Sequence, residues 1–274
     1  MDIYEEIIRL RRAGIKAALA TIVNVRGSIP SYESAKLLVR EDGWLVGTVG
    51  GGCVEAEVWA AARQVIQEGK PRTLTFNLNN DPSYDTGLLC GGTLEVFIEP
   101  ILPTSFLYIF GGGHVSLALS KVATLAGFRT IIIDDRDTYA NRERFPEAEE
   151  IYADDYDQVL ERLLPNSSAF IVAVTRGHRD DMRILRWAVG TAARYVGMIG
   201  SRRKVIEIVK YLEREGVSAS QLARVHAPIG LEIGAVAPEE IAVSIVAEMI
   251  AVRRNAFESA QPHPKSILAL SEHD

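Results

Sequence analysis

The sequence predicts an α/β protein with two parts, an N-terminal α+β domain and a doubly wound domain built on a parallel sheet. Two patterns predict it. The first hundred residues mix a hairpin, isolated strands and two helices, whereas after residue 103 strand and helix patterns alternate strictly. The later strands are continuous apolar runs such as Thr130-Ile131-Ile132-Ile133, as expected for a parallel sheet covered on both faces. At 274 residues the chain is long enough for one large domain or two ordinary ones.

The N-terminal elements follow from local chemistry. Asp2 and Glu5 form a capping box ahead of Ile3, Ile7 and Leu10, so a helix opens the chain. Gly14 follows its basic end, as a helix stop does. Ala17 to Val25 reads as an apolar strand. Ala35 to Arg40 and Leu45 to Val49 flank Asp42-Gly43, a hairpin signal. Glu55 to Glu68 reads as a helix ended by Gly69 and Pro71, and Thr73 to Asn77 and Thr93 to Ile98 read as strands. Pro100 and Pro103 bracket a connection, which sets domain boundaries at 1–102 and 103–257. Residues 258–274 read as a loose tail.

In the second part, strands are expected at Phe106–Phe110, Thr130–Asp134, Ala169–Val174 and Tyr195–Ile199. Helices are expected at His114–Ala126, Asp157–Leu163, Asp181–Ala192 and Arg203–Glu215, with a last long one from Pro238. The first strand runs into Gly111-Gly112-Gly113-His114 and then a helix. This is the context of a Rossmann dinucleotide loop. Gly113 leaves room for a phosphate at the helix N-terminus, where free N–H groups favour an anion. Asp134 lies 134 − 111 = 23 residues on, where a ribose-binding acid belongs. Ser116 takes the place of the third glycine.

Other loops follow strands and so fall on the same carboxyl edge, where open α/β sheets bind ligands. They carry Thr175, Gly177 and His178, then Gly200, Ser201, Arg202 and Arg203 with Lys204, and then His226-Ala227-Pro228-Ile229-Gly230. Cations at a helix N-terminus oppose the dipole, which suits an anionic ligand or partner. His178 is the candidate acid/base. In the first part Gly51-Gly52-Cys53 opens a helix, a setting that favours thiolate. Cys90 sits beside Gly91 and Gly92. Cys53 and Cys90 are the candidates for a thiol role, with buried apolar thiols as the competing reading.

Composition narrows the classes. The net charge is −6, which argues against a nucleic-acid binder. Two Cys do not make a disulfide framework, and the absence of CxxC argues against a structural zinc site. No stretch approaches the roughly 18 apolar residues of a membrane span. No secretory leader is visible, and a cytoplasmic protein is expected. P-loop, HExxH and GxSxG motifs are absent, so hydrolase and ATPase readings have little support.

Taken together these segments resemble the XdhC/CoxI family of accessory factors for molybdenum hydroxylases. The resemblance rests on Arg26-Gly27-Ser28-Ile29-Pro30, Ala35-Lys36, Gly47 to Glu55, Cys90-Gly91-Gly92 and Glu99-Pro100. It continues through Gly111 to Val115, Asp134-Asp135-Arg136, Arg144-Phe145-Pro146, Thr175 to His178, Ile199 to Lys204, His226 to Gly230 and Pro238 to Ala242. Gly52-Cys53-Val54-Glu55 is closer to the CoxI side. The family resemblance implies a protein that holds the molybdenum cofactor (molybdopterin), supports its sulfuration with a sulfur-donating desulfurase, and delivers it to a hydroxylase apoenzyme. It also implies a homodimer. The chemistry agrees, since a thiolate at Cys53 or Cys90 suits sulfur acceptance or a soft contact to molybdenum, with Cys90 the candidate metal contact. The other reading is an NAD(P)-dependent oxidoreductase using the 111–113 loop and Asp134.

Overall fold

The computed structural model describes residues 2–28, 32–78 and 91–256. Cys90, Ile29 and Pro30, and the expected tail at 258–274, lie outside them. The chain divides into two compact units between Thr104 and Ser105.

In the first unit, helix α1 (Ile3–Ala13) starts where the Asp2 side chain accepts from Tyr4 N–H at 2.7 Å and stops at left-handed Gly14. Strands β1 (Ala17–Ser28), β2 (Lys36–Arg40) and β3 (Leu45–Gly47) follow. Helix α2 (Gly52–Glu68), β4 (Arg72–Asn77) and β5 (Gly91–Ile101) complete the unit. The antiparallel sheet has the order β3-β2-β1-β5-β4. Its side chains alternate between two helices, because neighbouring strand residues face opposite ways. Leu37, Val39, Val96 and Ile98 pack with Val58, Ala62 and Val65 of α2. Leu19 and Leu38 pack with Leu10 of α1. The expected start of α2 at Glu55 is three residues late, since the helix begins at Gly52, and the Glu55 side chain folds back to hold the turn before it.

The second unit alternates as its sequence does. Its elements are β6 (Phe106–Phe110), α3 (His114–Leu125), β7 (Arg129–Ile133), β8 (Glu150–Tyr152), α4 (Tyr156–Leu160) and β9 (Phe170–Ala173). Next come α5 (His178–Ala188), β10 (Tyr195–Met198), α6 (Arg202–Arg214), α7 (Ala219–Leu222), β11 (Val225–His226) and α8 (Pro238–Arg253). The strands pair in the order β11-β10-β9-β6-β7-β8, and each pairing is parallel. This is the Rossmann order, with the reversal of strand order between β6 and β9. Leu107, Ile109 and Ile132 face α3 and α8. Tyr108, Phe110 and Ile131 face α4, α5 and α6. Both faces are therefore covered, which is why the strands read as unbroken apolar runs.

Helix α5 starts at His178 rather than Asp181. Gly177 caps it in extended backbone, and Asp180 and Asp181 fill its first turn, where the dipole favours acids. β8, α7 and β11 have two to four residues each and are too short to show a period.

Ser116 lies buried in the first turn of α3, and its hydroxyl has no hydrogen-bond partner among the described residues. A buried, unpartnered hydroxyl destabilises a fold. Ser116→Ala is expected to raise the free energy of unfolding by about 1 kcal/mol, measured by chemical denaturation.

Candidate functional site

The site grows from the ends of the parallel strands. β6 hands over to the glycine loop at Gly111, whose N–H donates to Ile133 O at 2.7 Å and so extends the ladder by one residue. Gly112 then turns its N–H to Asp134 Oδ2 at 2.6 Å. Its carbonyl accepts from Arg144 Nη2 at 2.9 Å. A Cβ on Gly112 would lie 2.7 Å from the Tyr139 carbonyl oxygen, so only glycine fits there. Gly113 differs. It caps α3 in extended backbone, and a Cβ there would meet nothing within 4 Å. The open side of the loop is therefore at Gly113 and His114, and the first turn of α3 holds no acid. The first N–H groups of a helix have no intrahelical partner, and such a helix start suits an anion.

Asp134 is not an open ribose acid in this structure. Its side chain is 1% exposed. Arg136 Nε donates to Oδ1 at 2.8 Å and Nη2 to Oδ2 at 2.9 Å, with Arg136 N–H on Oδ1 as well. Burial alone would push this carboxyl up, but the Arg136 fork and the Gly112 N–H outweigh it. The pKa is held below the ordinary carboxylate value. The Arg136 guanidinium also lies 3.7 Å above the centre of the Tyr139 ring. Tyr139, Arg136 and Arg144 thus bind the segment after β7 onto the closed side of the glycine loop.

The Thr175–His178 loop meets this group. A Cβ on Gly111 would sit 2.6 Å from Val174 O. Arg176 Nη2 reaches Asp135 at 3.0 Å. Thr175 Oγ1 donates to Asp181 Oδ1 at 2.7 Å. Lys204 Nζ pairs with the other oxygen of buried Asp181 and also donates to Ile199 O. The expected cationic run therefore splits. Lys204 turns inward to tie α5 to α6, while Arg202 and Arg203 stay exposed, paired loosely with Glu232 at 3.8 Å and Glu207 at 3.3 Å. Ser201 caps α6, accepting from Lys204 N–H, and Gly200 precedes it. His114 and His178 are exposed in the first turns of α3 and α5.

His226 is on β11 rather than in a loop. Its Nδ1 lies 3.4 Å from Glu248 Oε1. Buried Glu248 also accepts from Tyr195 Oη at 2.6 Å and Gly230 N–H at 2.9 Å. Burial raises the Glu248 carboxyl, and these bonds, His226 first, bring it below its ordinary value. The same burial, with Glu248 beside it, pushes the Tyr195 hydroxyl well up. Sequence reasoning missed Tyr139, Asp181 and Glu248 as organisers. A single acid in the largely apolar Ile241–Val252 run is the signal for Glu248.

In the first unit, Gly50, Gly51 and Gly52 all have positive φ, which L side chains adopt only with strain. Glu55 Oε2 accepts from Thr48 Oγ1 at 2.6 Å and from the N–H groups of Val49 and Gly51 at 3.3 Å. Cys53 is exposed in the first turn of α2. Among the described residues, no group of three or more His, Cys, Asp or Glu is arranged to hold a metal ion, and no helix is long and apolar enough to cross a membrane.

Residues 107–249 match the family model described as the XdhC Rossmann domain. Residues 10–77 match that of the XdhC and CoxI family. The chain belongs to the XdhC and CoxI family. It is 35% identical over 93% of its length to the uncharacterized protein YqeB of Escherichia coli, of which it spans only 47%. It is 25% identical over 93% of its length, and 89% of the relative, to the molybdenum cofactor insertion chaperone PaoD of Escherichia coli. It is 23% identical to a probable xanthine dehydrogenase subunit of Bacillus subtilis, over 87% of this chain and 94% of that one. The crystal structure of a xanthine dehydrogenase from Bacillus halodurans superposes with a TM-score of 0.53 at 25% identity, covering 96% of this chain and 98% of that one. The match to the XdhC Rossmann domain runs from β6 through most of α8, and so takes in the glycine loop, Asp134, Asp181 and Glu248.

Asp134→Ala strands the Arg136 guanidinium and frees the Gly112 N–H. It is expected to cost about 2–4 kcal/mol of stability at neutral pH, read by chemical denaturation. The folded pKa of Asp134 is lowered, so its contribution is complete above the ordinary carboxylate pKa of about 4 and is lost as pH falls through the folded value. Asp134→Asn is therefore expected to flatten the acid side of the stability profile below about pH 4. An unchanged profile would show that the Arg136 fork does not form in solution.

Proposed function

We propose that this protein is a maturation factor for molybdenum hydroxylases. It holds the molybdenum cofactor (molybdopterin), supports its sulfuration and inserts it into a xanthine-dehydrogenase-like or carbon-monoxide-dehydrogenase-like apoenzyme. The observation that carries this reading is the likeness, over 93% of this chain and 89% of the relative, to a molybdenum cofactor insertion chaperone. As for many proteins, fold alone would not reach function.

The residues present suit such a cargo. Molybdopterin carries a phosphate, and Gly113 and His114 present an open, acid-free helix start to it. Gly111 and Gly112 shape that cradle from behind. Arg202 and Arg203 add cations, and Gly200, Ser201, Thr175 and Gly177 set the neighbouring loops. Gly51, Gly52 and Cys53, with Cys90, are the thiol-bearing segments assigned to sulfur or molybdenum contact, since thiolates are soft ligands. The client apoenzyme and a sulfur-donating desulfurase are the partners. A nicotinamide enzyme using Asp134 for ribose and His178 as acid/base is disfavoured, because both Asp134 oxygens are already bound.

Anaerobic binding of isolated molybdenum cofactor to the purified protein, with NADH in a parallel arm, tests the reading. The cofactor is expected to bind, and Gly113→Asp to weaken it by about tenfold or more by setting a carboxylate in the cradle. NADH binding without cofactor binding would overturn the proposal. Cys90→Ser is expected to reduce cofactor retention with the fold intact. Full client activation by the double variant Cys53→Ser, Cys90→Ser would remove the thiols from the mechanism.

A further inference from the structure

A cavity of about 410 Å³ opens at the carboxyl edge of the second unit, beyond the ends of β10 and β11. Its size falls in the range of small-molecule pockets. Ile199, Pro228, Ile229 and Ile241 give it apolar walls. The 227–235 segment lines it along its length, with Gly230, Gly234 and Ala235 as small positions among larger ones. Arg202 stands at the mouth with a mostly exposed guanidinium, and Glu232 is its loose partner at 3.8 Å.

The wall is built rather than incidental. Buried Glu248 holds the Gly230 N–H at 2.9 Å. Buried Ser244 donates its hydroxyl to Leu231 O at 2.6 Å. A Cβ on Gly230 would collide with Ser244 Oγ, so the segment is pressed against α8 at this point. Two buried polar side chains of α8 are thus spent on fixing one loop. That fixes a pocket before any ligand arrives, which lowers the ordering cost of binding.

We propose that this cavity is a ring subsite that takes a flat, fused heterocycle of the pterin or purine class, with an anionic substituent directed to Arg202. Apolar walls suit the two faces of such a ring. The backbone of the segment beyond Leu231, past the groups that Ile229, Gly230 and Leu231 already commit to Met198, Glu248 and Ser244, suits its polar edge, because a planar heterocycle presents donors and acceptors only there. One cation at the mouth complements one anionic arm. The inference deepens the proposed function, since it rests on a pterin-bearing cargo and names where its ring sits, with Arg202 on the side of its phosphate.

Four probes test it on the full chain: pterin-6-carboxylate and uncharged pterin by their fluorescence, adenosine monophosphate, and isolated molybdenum cofactor under anaerobic conditions. Two variants act in the pocket. Ala235→Phe fills it, and Arg202→Gln removes the cation. Each is expected to weaken pterin-6-carboxylate binding by about tenfold, with an unchanged thermal midpoint showing that the fold is kept. Arg202→Gln is expected to leave uncharged pterin unaffected, which a general loss of folding would not do. Cofactor binding that is lost in Gly113→Asp yet unaltered by both pocket variants would overturn the subsite while leaving the maturation reading in place. Adenosine monophosphate binding that is lost in Ala235→Phe, with no pterin or cofactor binding, would keep the subsite and overturn the maturation reading. Failure of all four probes to bind would overturn the subsite.

Discussion

The Asp134 carboxylate is the junction on which the rest of the site depends. One oxygen accepts from the Gly112 N–H, and both accept from Arg136. The first bond sets the course of the glycine loop between β6 and α3. The second draws the segment after β7 over one side of that loop, where Tyr139 and Arg144 complete the cover. A buried carboxylate needs such partners, because an unpaired charge in this position would be strongly unfavourable. The outcome is asymmetric. Gly112 is enclosed, and Gly113 is left facing open space.

Two further buried acids do the same work elsewhere on the edge. Asp181 joins the loop after β9 to the loop after β10 through Thr175 and Lys204. Glu248 joins β10, β11 and the Gly230 turn through Tyr195, His226 and the Gly230 N–H. Each acid is supplied by a different element, the end of β7, the start of α5 and the middle of α8. Each holds a loop that carries candidate ligand-facing groups. The edge is therefore ordered by internal polar bonds, and its exposed groups, His114, His178, Arg202 and Arg203, project from fixed supports. Such preorganisation suits the cargo-holding role proposed above.

Much of the fold is legible in the sequence because its signals are local. The Asp2 cap, the Gly14 stop, the Asp42-Gly43 hairpin and the alternation of β6 to α6 all follow from residues near one another in the chain. The glycine loop is legible for the same reason. The fate of Asp134 is not. A spacing of 23 residues from Gly111 fits a ribose acid, and nothing in that spacing shows that Arg136 folds back to take both oxygens. His226 reads as a loop residue because two-residue β11 has no period. Lys204 reads as one of a run with Arg202 and Arg203, although its partner Asp181 lies 23 residues earlier and meets it only through the packing of α5 on α6. Long-range pairing decides each of these, and single residues carry little sign of it.

The central claim is that the glycine loop is a one-sided anion cradle, closed at Gly112 by Asp134 and open at Gly113. The most direct measurement follows the amide resonances of Gly112, Gly113 and His114 by nitrogen-15 NMR as molybdenum cofactor is added anaerobically. The account predicts saturable shifts at Gly113 and His114, with Gly112 nearly still because its N–H stays on Asp134. Cofactor binding that leaves Gly113 and His114 unmoved, or that displaces Gly112 as much as its neighbours, would contradict it.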